Sequence, residues 1–100
     1  MEGRDFEAAV IAVIGGLEAG DVMTYGEVAT EAGFPGAARA VGNLLRRTGH
    51  PLPWWRVVAA GGRLSPYGRL EQARLLAAEG VEVTAVGKVA DMAKHRGGSV

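Results

Sequence analysis

The residues of this chain that could act on another molecule gather in its middle third. Trp54 and Trp55 are the only tryptophans present, and they sit side by side in the run Leu52-Pro53-Trp54-Trp55-Arg56-Val57-Val58. An indole presents a flat apolar face and one N–H donor. It can stack on a planar ring, but it cannot attack a carbon or shuttle a proton. The sequence has no cysteine, which excludes thiolate chemistry, disulfides and cysteine-held metals. His50 and His95 stand far apart in sequence, so neither a metal site nor any other cofactor is expected.

Charge sharpens the picture. The chain is neutral overall, yet residues 1–35 carry a net −6 and residues 36–74 a net +6. All seven bases of the middle third are arginines: Arg39, Arg46, Arg47, Arg56, Arg63, Arg69 and Arg74. Arginine suits two-pronged phosphate contacts and stacking on bases. A basic middle on a neutral protein therefore suggests a face for a polyanion. The alternative is a set of solvated arginines balanced by the acidic first third.

These residues need elements to hold them. Phe6, Val10, Val13, Ile14 and Leu17 recur at helical spacing, which predicts a first helix with Asp5 as its N-cap. Thr24 can cap a short second helix over residues 26–32. Gly33-Phe34-Pro35-Gly36 breaks it, since proline cannot continue a helix. A third helix follows over 37–47, with Val41, Leu44 and Leu45 for the core. Helix, four-residue turn and helix make a helix-turn-helix.

The third helix has a nearly bare front. Ala37, Ala38, Ala40 and Gly42 surround Arg39, with Asn43 close behind. Helices that read the major groove usually carry several long polar side chains. A bare helix with one probe fits close approach to the minor groove and insertion of a wedge. The other possibility is that the alanines only pack on the first helix. Trp54–Val58 reads as a short strand, so its neighbouring tryptophans should face opposite ways, Trp54 to a pocket and Trp55 to the core. Gly61-Gly62 suggests a wing-like hairpin. A fourth helix over 70–79, a last short strand and a tail from about Asp91 complete the chain, with the Gly-Gly-Ser end expected to be disordered. Residues 1–100 read as a single, mostly α domain: a winged-helix-like helix-turn-helix with a short β-hairpin. No apolar run is long enough to span a bilayer. The expected setting is cytoplasmic, at the bacterial nucleoid when DNA is bound.

"TYGEVA", "GAARAVGNLL", "LPWWRVV", a glycine turn, a tyrosine and "LLAAEGV" follow one another in order. This order resembles the DNA-binding and active-site domain of the O6-alkylguanine-DNA alkyltransferases over roughly residues 6–83. The family's hallmark Pro-Cys-His-Arg-Val here reads Pro53-Trp54-Trp55-Arg56-Val57. Loss of the acceptor cysteine is similar to the alkyltransferase-like proteins, which bind alkylated guanine and flag it for nucleotide-excision repair. The resemblance implies that Tyr25 presses on the DNA backbone to rotate a nucleotide and that Arg39 enters the base stack as a finger. Trp54 would take the acceptor position, in a lesion pocket with Arg56, Leu45, Gly68 and the lid Tyr67. Thr24, Ala37, Ala38, Gly42, Asn43, Arg46, Arg47 and Arg63 would meet DNA, while Trp55 and Glu79 would be structural.

The implied partners are double-stranded DNA carrying O6-alkylguanine and excision-repair proteins, the protein acting as a monomer without catalysis. Trp55 departs from the family, because it replaces the histidine of the enzymes' proton relay. A winged-helix regulator without lesion specificity is the competing expectation. The missing cysteine, and the lack of a histidine beside the pocket, argue strongly against a third reading, an alkyl-transferring or hydrolysing enzyme.

Overall fold

The computed structural model describes residues 3–66 and 68–96. Among the described residues five α-helices carry the fold: α1 (Gly3–Gly15), α2 (Tyr25–Glu31), α3 (Ala38–Arg47), α4 (Arg69–Ala78) and the single turn α5 (Met92–His95). Two short strands, β1 (Met23–Thr24) and β2 (Val57–Val58), pair in parallel, Met23 opposite Val57 and Thr24 opposite Val58.

This pair is the seam between two cores. Met23 and Val57 join Val10, Ile14, Leu17, Val28, Ala29, Val41 and Leu44 in a cluster between α1, α2 and α3. The adjacent residues Val22 and Val58 join Leu64, Leu76, Val81 and Val89 in a second cluster beneath α4. Alternate residues of an extended chain face opposite sides, so the neighbours Val22 and Met23, like Val57 and Val58, reach one core each.

The helix-turn-helix is built as its sequence predicts. Thr24 caps α2: its hydroxyl accepts from the Glu27 N–H at 3.0 Å, and the Glu27 carboxylate accepts from the Thr24 N–H at 2.9 Å. This reciprocal box satisfies two N–H groups that a helix start leaves open. Gly33 takes a left-handed φ of 95°, which a side chain would strain. Phe34 then turns back onto Phe6 of α1, edge to face at 5.1 Å.

The chain departs from expectation in several places. Helix α1 starts at Gly3, so Asp5 lies in its first turn rather than at its N-cap. The expected strand across residues 54–58 is a strand only at Val57–Val58; Trp54–Arg56 form one turn of 3-10 helix. The reason is the length of the partner. In the parallel register residues 54–56 would face residues 20–22, before β1 begins; there Gly20 turns with a φ of 94° and the Val22 N–H goes to the His95 carbonyl, so the N–H groups of Trp54 and Arg56 bond locally instead.

The hairpin also moves. The Gly61-Gly62 turn does not fold back along β2; residues 82–90 form the tight antiparallel return, with Val83 opposite Val89. The Thr84 N–H donates to the Lys88 carbonyl at 2.7 Å, and the Ala90 N–H to the Glu82 carbonyl at 2.9 Å.

The tail expected from Asp91 is ordered through residue 96. Asp91 caps α5, the Val22 N–H donates to the His95 carbonyl, and Met92 packs on the second core. That burial was hidden in a polar stretch holding one methionine. Residues 97–100, with the Gly-Gly-Ser end, lie outside the described residues. Among the described residues no helix is long and apolar enough to cross a membrane.

Candidate nucleic-acid interface

Two concavities open side by side on the face of α3. The first, about 470 Å³, is lined by Tyr25, Ala38, Arg39, Gly42, Asn43, Arg46, Ser65 and Pro66. The second, about 280 Å³, is lined by Tyr25, Gly42, Leu45, Arg46, Trp54, Ser65 and Gly68. Tyr25, Gly42, Arg46 and Ser65 belong to both, so one leads into the other. The smaller cleft sits at the low end of small-ligand pockets, a size for one flat ring system.

Each wall has a local cause. Arg39 lies on the exposed side of α3 and makes no ion pair or hydrogen bond among the described residues. Its neighbours Ala38 and Gly42 leave space around it for a partner's backbone. Tyr25, the first residue of α2, leans over Gly42: a Cβ there would stand 4.0 Å from the ring. Gly68 closes the far side of the cleft, where an added Cβ would come within 3.4 Å of the Trp54 ring. A larger residue at 68 would press on the indole.

The two tryptophans separate, though not by strand alternation. In a 3-10 turn successive side chains rotate by about a third of a circle. Their rings meet edge to face at 6.2 Å with planes 88° apart. Trp54 lines the cleft, while Trp55 packs against the second core. The Trp55 ring also carries the Arg56 guanidinium 5.2 Å above its centroid.

Arg56 was expected in the pocket and is absent from its lining. Its guanidinium turns to Glu79, donating from Nε at 3.0 and 3.1 Å and from an Nη at 2.6 Å, and to the Leu17 carbonyl at 2.8 Å. Glu79 also accepts from Trp55 Nε1 at 2.8 Å and from the Gly20 N–H at 3.0 Å. Burial alone would raise the Glu79 carboxyl. The bonds from Arg56, Gly20 and Trp55 outweigh it and hold the group at about 2. The same carboxylate raises the Arg56 guanidinium above its ordinary value. Glu79 thus ties the end of α4 to the tryptophan turn and to the loop after α1.

The Arg47 guanidinium, still exposed, meets Glu7 of α1 at 2.9 Å. Arg46 stays on the cleft and donates to the Asn43 carboxamide. Arg63 is exposed but lines neither concavity. Ala37 is half-buried beside the first core, and Thr24 spends its hydroxyl on the α2 cap. Tyr67, the expected lid, lies outside the described residues. Among the described residues no group of three or more His, Asp or Glu could hold a metal ion.

The sequence reading missed Gln72. It is fully buried, and every bond it can make with the wall of the site is to backbone. Its amide donates to the Trp55 carbonyl at 3.1 Å and the Val57 carbonyl at 3.0 Å, and accepts from the Ser65 N–H at 2.8 Å. One side chain therefore fixes the tryptophan turn against the Ser65 loop, the two walls of the cleft. A signal was present: Gln72, Leu76 and Glu79 share one face of α4 by helical spacing, and two of the three are polar. Gln72→Leu keeps the bulk but strands three backbone groups. The expected loss is about 2–3 kcal/mol of stability in urea denaturation.

Comparison with known proteins agrees with this architecture. The family described as 6-O-methylguanine DNA methyltransferase, DNA binding domain, matches residues 5–81. A DNA base-flipping protein of Vibrio parahaemolyticus is 45% identical over 89 residues, spanning 85% of this chain and 89% of its own. One from Escherichia coli is 42% identical over 96% of this chain and 78% of its own. The crystal structure of S. pombe Atl1 in complex with damaged DNA containing O6-carboxymethylguanine superposes with a TM-score of 0.83 at 31% identity, covering 96% and 97% of the two chains.

The chain belongs to the family of the methylguanine methyltransferase DNA-binding domain. Within it, the chain is an alkyltransferase-like protein: it matches the base-flipping proteins and Atl1 over most of their lengths, and its sequence has no cysteine. Its matches to the methyltransferases proper are partial, the Mycobacterium tuberculosis enzyme being 39% identical over 42% of that enzyme's length.

Proposed function

We propose that this protein recognises alkylated DNA without repairing it. It binds the minor groove through α3, rotates an O6-alkylguanine out of the duplex and holds it against Trp54. The bound lesion is then flagged for nucleotide-excision repair. The observation that carries this reading is the shared wall between the Arg39 groove and the Trp54 cleft. A base leaving the stack beside Arg39 has a pocket directly adjacent, and Arg39 is free to fill the gap. Extruding a base costs a few kcal/mol, which stacking at both ends offsets. The base-flipping names of the relatives and the damaged-DNA complex of the structural neighbour support the same role. The protein acts as a monomer on nucleoid DNA in the cytoplasm.

The test compares duplexes with and without one O6-methylguanine. Tighter binding of the lesion duplex is expected, and equal affinity would leave only a DNA-binding module without lesion specificity. Trp54→Ala should remove about 1–3 kcal/mol of the lesion preference, the scale of one base–aromatic stack, and leave intact-duplex affinity in place. A parallel loss on both duplexes would reject the stacking role. Addition of purified excision-repair proteins to the lesion complex tests the hand-over, with a supershifted complex as the expected product.

A further inference from the structure

A second basic feature involves Lys88, on a groove that Thr24, the neighbour of Tyr25, also lines. The segment of residues 82–96 begins where the family match ends, at residue 81. Its hairpin docks on the chain just after the Gly61-Gly62 turn, with Arg63 opposite Lys88 in an antiparallel bridge. The flanking bonds run from the Leu64 N–H to the Gly87 carbonyl at 2.9 Å and from the Val89 N–H to the Gly62 carbonyl at 2.8 Å. That pattern makes Arg63 and Lys88 a non-hydrogen-bonded pair, the arrangement that brings facing side chains closest.

Like charges directly opposite each other are unfavourable. Both side chains are exposed, and neither has an acidic partner among the described residues. By contrast, four other arginines are neutralised on the spot: Arg47 by Glu7, Arg56 by Glu79, Arg74 by Glu71 and Arg96 by Glu27. Lys88 lies on a groove of about 470 Å³ lined also by Thr24, Gly61, Gly62, Thr84 and Arg96. Thr24, on this groove, directly precedes Tyr25, which walls both α3 concavities.

We propose that the Arg63–Lys88 pair binds the DNA backbone as a second anchor, gripping phosphates that flank the site of base flipping. The inference rests on the DNA-binding reading above and extends it to the hairpin. A phosphate between the two cations relieves their repulsion, so the pair is stabilised by its ligand. Contacts of this kind hold register and carry no sequence or lesion information.

The experiment measures intact-duplex and O6-methylguanine-duplex affinity against salt for the full chain and for Arg63→Ala/Lys88→Ala. The double variant should bind both duplexes about tenfold more weakly near 0.1 M salt. Its log–log salt slope should fall by about 1.8, the value for two lost phosphate contacts. Lys88→Glu supplies a folding control. It should raise the melting temperature by pairing with Arg63, yet weaken DNA binding further than Lys88→Ala does. An unchanged slope in the double variant overturns the proposal, as does a loss confined to the lesion duplex. A wild-type chain that binds DNA without lesion preference overturns the proposed function and leaves the anchor standing.

Discussion

Glu79→Ala is expected to lower folding stability by about 3–5 kcal/mol, the cost of stranding a buried charge. The Arg56 side chain is only 14% exposed and Glu79 12%, so water cannot replace the lost carboxylate. The substitution also orphans the Trp55 indole N–H and the Gly20 N–H. For a domain of this size each kcal/mol shifts the melting temperature by roughly 4–8 °C. Thermal unfolding should therefore drop by about 15 °C or more. Removing both charges, as in Arg56→Met/Glu79→Met, should cost less than Glu79→Ala alone, because no ion is left unpaired. A double variant less stable than the single would refute the paired-charge account.

The same carboxylate sets an acid limit. Its folded value, about 2, lies below the ordinary 4.5. A depressed acid stabilises the fold above its unfolded value and loses that contribution as pH falls through the folded one. The Glu79 contribution, roughly 2–3 kcal/mol, is complete above about pH 4.5 and fades between there and pH 2. Glu79→Gln should flatten this limb while leaving the profile above pH 5 unchanged in shape. Urea denaturation at intervals from pH 2.5 to 7 measures it.

Arg39→Ala is expected to weaken binding to intact and lesion duplexes alike by roughly tenfold to a hundredfold, since the gap left by an extruded base loses its plug. Charge alone does not explain this role. A phosphate contact would be restored by lysine, but a flat guanidinium that stacks between bases would not. Arg39→Lys should therefore remain close to Arg39→Ala in affinity while recovering the salt slope. Fluorescence of a 2-aminopurine placed next to the lesion reports unstacking directly, and both variants should suppress it. Full recovery of affinity and fluorescence by Arg39→Lys would reduce Arg39 to a phosphate contact. Folding should be untouched, because Arg39 has no partner among the described residues whose loss could destabilise the chain.

Local chemistry is legible where it acts over a few residues. Thr24 with Glu27, the Gly33-Phe34-Pro35-Gly36 turn and the alanines around Arg39 all act within a turn or two, so the helix-turn-helix and its bare helix could be read in order. The separation of Trp54 from Trp55 was also readable, but for the wrong reason: a 3-10 turn divides them, not a pleat. Strand length there depends on β1, more than 30 residues away, which begins only at Met23, opposite Val57. Residue type likewise does not separate Arg47 from Arg56. Folding sends one to a surface carboxylate and the other to a buried network.

Composition and order alone established that no cysteine chemistry is open to this sequence, that its middle is basic, and that Arg39 stands among alanines and a glycine at the front of its helix. Those properties belong to residue types and near neighbours, which folding cannot alter. The cleft itself required contacts between distant segments: Trp54 from one turn, Leu45 from α3, Gly68 from the loop before α4, all braced by Gln72. The opposed pair of Arg63 and Lys88 arises in the same way, from a bridge between segments 25 residues apart. Pairings of that kind depend on which backbone groups remain unsatisfied once the cores have closed, and a linear pattern does not carry that information.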